Sequence, residues 1–116
     1  MTLSRIALVS ALLCWGGLTL AHTHLEQSIP ANGSRLAQAP RSFVLRFARP
    51  VHLTALSLQK GAEPAQKLGP LPESAAAEFT LPAPQLAAGT YILSWRSVGD
   101  DGHVMPGKLQ FTVKSP

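Results

Sequence analysis

The apolar residues of this chain recur at every second position, and this pattern restricts it to a fold built from β-strands. The rows with this spacing are Phe43, Leu45 and Phe47; Tyr91, Leu93 and Trp95; and Leu109, Phe111 and Val113. A period of two places each row on one face of a half-buried strand. Weaker strands are predicted at residues 24–29, 53–59 and 76–81, and no segment has a helical period over three turns.

Short turn-forming sequences separate these strands. They include Pro30-Ala31-Asn32-Gly33, Lys60-Gly61 and Ala88-Gly89-Thr90. Six or seven short strands in one small domain, without an internal repeat, predict a two-sheet all-β sandwich with Greek-key links. Because the aromatic residues lie in the alternating rows, we expect them in the core rather than on an exposed platform for sugars or bases.

The first 21 residues have the features of a secretory signal peptide. Arg5 precedes an apolar stretch at residues 6–20, and the small residues Thr19 and Ala21 precede the predicted cut. The stretch is short for a membrane-spanning helix, which needs about 20 apolar residues. We therefore expect residues 22–116 to form a soluble exported domain whose first residue is His22.

The composition of the exported domain limits its chemistry. The single cysteine of the chain, Cys14, lies inside the predicted signal, so no thiolate remains for a disulfide, a Cys–zinc site or a thiolate copper site. Nine Lys and Arg against six Asp and Glu give the exported domain a mild net charge of +3, and the basic residues are scattered without interleaved aromatics, which argues against nucleic-acid binding. A small domain without disulfides must rely on a well-packed core or on a bound ligand.

A histidine at the start of the exported domain could bind a metal ion in two ways at once. His22 would offer its free α-amino group and its ring nitrogen to the same ion. Far along the chain, Asp101-Gly102-His103 supplies a carboxylate and a second imidazole. Side chains two residues apart on an extended strand point the same way, so both groups could reach one ion. If folding brings these groups together, three nitrogens and one oxygen suit Cu(II). The simpler alternatives are that residues 99–102 form an ordinary turn and that His22 follows the cut by chance.

Three other side chains are weaker metal-ligand candidates. His24 is a possible additional ligand, since a free terminus with a third-position histidine can wrap Cu(II), although a strand at this position would commit its backbone to the sheet. His52 begins a strand after Pro50-Val51 and is expected to face solvent. Met105 is the only methionine outside the predicted signal, and one thioether does not make a Cu(I) site.

These residues form an ordered series of motifs that extends from His22 to Val113. In chain order the motifs are Ala21-His22-x-His24-Leu25, Pro30-Ala31-Asn32-Gly33-Ser34, Leu45-Arg46-Phe47, Leu86-x-Ala88-Gly89-Thr90-Tyr91, Trp95-Arg96, Asp101-Gly102-His103, Gly107 and Phe111-x-Val113. In order and spacing the series resembles the CopC family of periplasmic copper-resistance proteins, with its PcoC and YobA relatives.

The resemblance implies an immunoglobulin-like β-sandwich or barrel of seven strands that binds Cu(II) through His22, Asp101 and His103. Some family members also have a methionine-rich loop for Cu(I); the matching residues 59–70 contain no methionine, so the resemblance implies a Cu(II)-only member. This chain departs from many relatives at two positions, with Arg49 in place of an acidic residue and Gly99 in place of a serine. A positive charge near a dication weakens binding unless its side chain turns outward.

The sequence therefore predicts a periplasmic Cu(II)-binding protein for copper homeostasis and resistance. It would sequester copper, or hand it to an inner-membrane transporter or another periplasmic copper protein. We expect no enzymatic activity, no nucleic-acid partner and no membrane insertion after signal removal. Two alternatives remain: a copper-dependent oxidative enzyme of the histidine-brace type, for which so small a domain leaves little substrate surface, and a metal-free sandwich module that binds another protein.

Overall fold

The computed structural model describes residues 25–115 as seven β-strands in one curled sheet. The strands are β1 (Leu25–Ile29), β2 (Ser34–Leu36), β3 (Ser42–Lys60), β4 (Gln66–Lys67), β5 (Ala76–Pro82), β6 (Gly89–Gly99) and β7 (Val104–Val113). Residues 25–115 contain no helix, and hence none that is long and apolar enough to cross a membrane. The predicted all-β, immunoglobulin-like architecture of about seven strands is confirmed.

The long strand β3 belongs to both halves of the fold. Up to Phe47 it lies between β1 and β5, and from Val51 onward it pairs with β6. The register with β5 shifts between Arg46 and Val51, where Pro50 has no amide hydrogen to donate. The separate strands predicted at residues 43–47 and 53–59 are therefore two parts of one strand that bends between the halves.

The remaining strands complete the sheet in the order β1-β3-β6-β7-β2. β6 and β7 form an antiparallel hairpin paired from Gly89–Val113 to Val98–Val104, and β2 adds to β7 in parallel. A parallel neighbour so distant in sequence leaves no signal in the local sequence pattern, and β2 is not among the predicted strands.

The alternating rows form the core, as predicted. All nine residues of the three rows are buried, and Phe43, Leu45, Leu93 and Phe111 are completely inaccessible to solvent. The Phe111 ring stacks on Tyr91, with a centroid separation of 5.3 Å, and lies 5.9 Å from the Phe43 ring. The aromatic residues are thus packing groups, not an exposed platform.

Gly107 provides the space for the indole of Trp95. The two residues are directly opposite in the β6–β7 hairpin, and a Cβ built at position 107 would lie 2.4 Å from Cε2 and Cζ2 of the indole. Real Cβ atoms do not approach other atoms so closely, and Trp95 is only 6% exposed, so it has little room to move.

We expect Gly107→Ala to lower the free energy of unfolding by about 1–3 kcal/mol, the usual cost of overpacking a core. Urea denaturation followed by circular dichroism measures the effect. Gly69→Ala is the matched control, because the nearest atom to a Cβ there is 3.8 Å away. A Gly107→Ala protein as stable as the control would contradict the packing described here.

Candidate metal centre

The loop between β6 and β7 is a tight turn with its own hydrogen bonds. The amide of Gly102 donates to the carbonyl of Gly99 at 3.0 Å, and the amide of Gly99 donates to the carbonyl of His103 at 3.2 Å. Gly102 has φ +83°, a left-handed conformation that favours glycine. Residues 99–102 therefore do form the turn that their composition suggested.

This turn brings Asp101 and His103 into contact. Nδ1 of His103 lies 2.9 Å from Oδ2 of Asp101, and the backbone amide of His103 donates to Oδ1 at 3.0 Å. Both side chains reach solvent, Asp101 with 44% and His103 with 65% of its surface exposed. The predicted reason for their proximity, an extended strand, is wrong, because the reversal of the chain in the turn places the two side chains together.

The contact with His103 determines the charge state of Asp101. The side-chain hydrogen bond from His103 lowers the pKa of the Asp101 carboxyl most, and the backbone hydrogen bond from the same residue lowers it further. The carboxylate therefore stays ionised to lower pH than an ordinary aspartate. An ionised carboxylate accepts hydrogen bonds at about four positions and donates none, so Nδ1 carries the shared hydrogen and Asp101 retains acceptor capacity for a cation.

An imidazole held by a carboxylate is a common arrangement around metal ions. When one ring nitrogen donates to a carboxylate, the tautomer and the orientation of the ring are fixed for coordination through the other nitrogen. In His103 that second nitrogen is Nε2.

The bend of β3 brings the start of β1 and the end of β6 to one region of the sheet. Leu25, the first residue of β1, pairs with Phe47, and Gly99, the last residue of β6, pairs with Val51. Phe47 and Val51 flank the bend. The described chain thus begins beside the region from which the Asp101–His103 turn projects.

Two of the predicted ligands cannot be placed. His22 and His24 lie outside the described residues, as does the predicted signal peptide at residues 1–21. Within residues 25–115, no group of three or more His, Cys, Asp or Glu side chains could hold a metal ion. To hold a metal ion, Asp101 and His103 would need ligands in addition to the side chains that the structure places beside them.

The structure also places the other residues singled out from the sequence. His52 is exposed, as predicted, and pairs with Val98 on β6. Met105 is half-buried opposite Ser97, whose hydroxyl donates to the Met105 carbonyl at 3.4 Å. Arg49 is exposed and forms no ion pair within residues 25–115. Gly99 supplies backbone groups to the turn, a role that its place in a Gly-Asp-Asp-Gly sequence could have indicated.

One protein-family model matches nearly the whole described region of the chain. The family model described as the CopC domain matches residues 25–114. The chain belongs to the CopC family.

Individual relatives agree with this membership. The Copper resistance protein C of Pseudomonas syringae pv. tomato is 32% identical over 121 residues, which cover 96% of this chain and 95% of the relative. Protein YobA of Escherichia coli strain K12 is 33% identical over 100 residues, covering 81% and 80%.

Solved structures of the CopC family share the fold. CopC from Methylosinus trichosporium OB3b superposes with a TM-score of 0.66 at 29% identity, covering 81% of this chain and 95% of that one. PcoC from Escherichia coli, described as a methionine-rich copper resistance protein, has a TM-score of 0.56 at 30% identity, covering 81% and 100%. This chain has only two methionines, and Met105 is the one among residues 25–115.

Proposed function

We propose that this CopC-family chain is a periplasmic Cu(II)-binding protein that sequesters copper or passes it to a partner protein. The observation that carries the proposal is the exposed carboxylate–imidazole pair of Asp101 and His103, 2.9 Å apart on a tight turn. The names of the copper-resistance relatives support copper as the metal. Residues 1–21 would direct export and be removed, leaving residues 22–116 as the copper-binding domain.

The proposed ligands are the α-amine and imidazole of His22, the carboxylate of Asp101 and the imidazole of His103. Three peptide units separate His22 from Leu25, and an extended chain spans them in at most about 10 Å. Because Leu25 begins β1 beside the bend of β3, this reach supports a site shared between the terminus and the turn. His24 would be a further ligand or a neighbour of the site.

The donor set favours oxidised copper. Imidazole and amine nitrogens with one carboxylate suit Cu(II), whereas Cu(I) prefers several soft sulfur ligands. Met105 is the only thioether among residues 25–115, and its backbone is committed to the β7 ladder. Reduction to Cu(I) by an external one-electron donor would therefore weaken binding, and we propose it as the release step in transfer to a partner.

The test is a Cu(II) titration of the protein recovered from the periplasm, after N-terminal sequencing of the same sample. We expect an N-terminus at His22, one Cu(II) per chain, and an electron paramagnetic resonance spectrum with nitrogen hyperfine structure. By the Irving–Williams order, Ni(II) and Zn(II) should bind more weakly than Cu(II). A mature chain that starts elsewhere would refute the chelate, and failure to bind Cu(II) more tightly than Zn(II) would refute the copper function.

A further inference from the structure

Five of the seven strands carry no acidic residue. Strands β2, β3, β4, β6 and β7 contain no Asp or Glu over their full lengths. The acidic residues of residues 25–115 lie instead in β1, in β5 and in the connecting segments. The face formed by these strands therefore has no internal partner for a positive charge.

Three cations project from the outer face of the sheet where β4, β3, β6 and β7 lie side by side. The strand register aligns Lys67, Ser57, Ser94 and Lys108 in one row, because paired residues of antiparallel strands share a face. Arg96 projects from the same face, one pleat along β6 from Ser94. Lys67, Arg96 and Lys108 are exposed, and none of them forms an ion pair with any residue of the described chain.

The outer face also contains a recess between two of these cations. It has a volume of about 580 Å³, and the outward side chains that line it are Ala55, Ser57, Ser94, Arg96, Pro106 and Lys108. The serine hydroxyls lie between the charged groups and can donate hydrogen bonds. Together with Arg96 and Lys108 they supply donors and positive charge, and the rest of the lining, from Ala55, Trp95, Pro106 and Gly107, is apolar.

The spacing of the cations indicates what kind of anion they fit. Lys67 and Lys108 are three strand spacings apart, about 14 Å, and Arg96 is displaced along the strands by one pleat repeat, about 7 Å. A single phosphate or carboxylate cannot reach all three. An extended peptide presents alternate side chains at about 7 Å intervals, so a run of alternating carboxylates can.

We infer that the outer face carrying Lys67, Arg96 and Lys108 is a docking surface for an acidic, extended segment of a partner protein. Charge complementarity supports this occupant, because the face offers it Lys67, Arg96 and Lys108 without ion-pair partners among the described residues, and the five strands contain no carboxylate to repel it. An anionic membrane is disfavoured: interfacial binding needs buried apolar area as well as charge, and the one large hydrophobic residue more than half exposed on these strands is Val104. The inference does not depend on copper binding.

The test uses the full exported protein and a fluorescein-labelled peptide of alternating glutamate and serine. Fluorescence anisotropy at low salt should detect binding, and Arg96→Gln/Lys108→Gln should weaken it about tenfold, as expected for the loss of two exposed ion pairs. Raising NaCl from about 20 mM to about 200 mM should weaken binding by the wild-type protein. The charge-matched control is Arg41→Gln/Lys114→Gln, whose exposed cations precede β3 and follow β7 and so lie outside the five strands, and it should bind within about twofold of wild type.

Three outcomes would overturn the inference. They are no measurable peptide binding, an equal loss in the control variant, and binding to phosphatidylserine vesicles without binding to the peptide. The Cu(II) titration of the Arg96→Gln/Lys108→Gln protein separates this result from the copper proposal, since its Cu(II) affinity should match wild type. Circular dichroism shows whether each variant is folded.

Discussion

Replacing His103 with alanine should lower the Cu(II) affinity of the exported protein by at least about a hundredfold, since losing even an outer-shell partner of a metal ligand costs about 10–100-fold. The variant removes one of the three proposed nitrogen ligands and also the imidazole that contacts Oδ2 of Asp101, while the backbone amide at position 103 can still donate to Oδ1. The substitution is on an exposed turn, so the fold should be unaffected. A competition titration against a chelator of known Cu(II) affinity measures the loss.

His52→Ala is the matched control for this experiment. It removes an exposed imidazole from a strand next to β6, and Cu(II) affinity should stay within about threefold of wild type, close to the ±0.5 kcal/mol typical of surface changes. A glycine added ahead of His22 tests the other half of the site, since it moves the α-amine away from the imidazole. Equal losses in the His52 and His103 variants, or unchanged affinity after the glycine addition, would show that copper binds elsewhere.

Replacing Phe111 with alanine should lower the free energy of unfolding by about 3–5 kcal/mol, the cost of deleting a buried phenyl ring. The Phe111 side chain is completely buried and contacts both Tyr91 and Phe43, so its removal leaves a cavity bounded by aromatic rings from β6 and β3. Small domains have only about 5–15 kcal/mol of stability, so the variant should be close to unfolding at room temperature. Urea and thermal denaturation measure the effect.

Gln110→Ala is the control for the core substitution. Gln110 is next to Phe111 in β7, but its side chain points to the opposite, exposed face of the strand. Its replacement should change the free energy of unfolding by no more than about 0.5 kcal/mol. If Phe111→Ala lowers the free energy of unfolding by less than about 1 kcal/mol, the rings must repack into the cavity, contrary to a closely packed core.

The sequence predicted the features of the fold that depend on local periodicity. The rows at Phe43, Tyr91 and Leu109 have a clear period of two, and each row is buried as expected. The continuity of β3 through Pro50 was not predictable in this way. A proline normally disrupts a sheet ladder, and only the register of β1, β5 and β6 shows how the strand bends past it.

The candidate site was likewise predictable from the sequence only in part. Residue chemistry alone identified Asp101 and His103 as a pair, but the backbone that joins them is set by the two hydrogen bonds of the turn and by the left-handed Gly102. The neighbourhood of Leu25 and Gly99 depends on strand pairing between residues far apart in sequence. Such long-range pairing follows from the packing of the whole domain, which no local pattern encodes.

The tip of a hairpin is an open place to hold an ion. If Asp101 and His103 do hold copper as proposed, the ion would lie on an exposed turn rather than in a closed cavity, and a ligand from another protein could reach it directly. The rate of copper transfer would then increase with the concentration of the acceptor protein, and transfer would not require the folded domain to open.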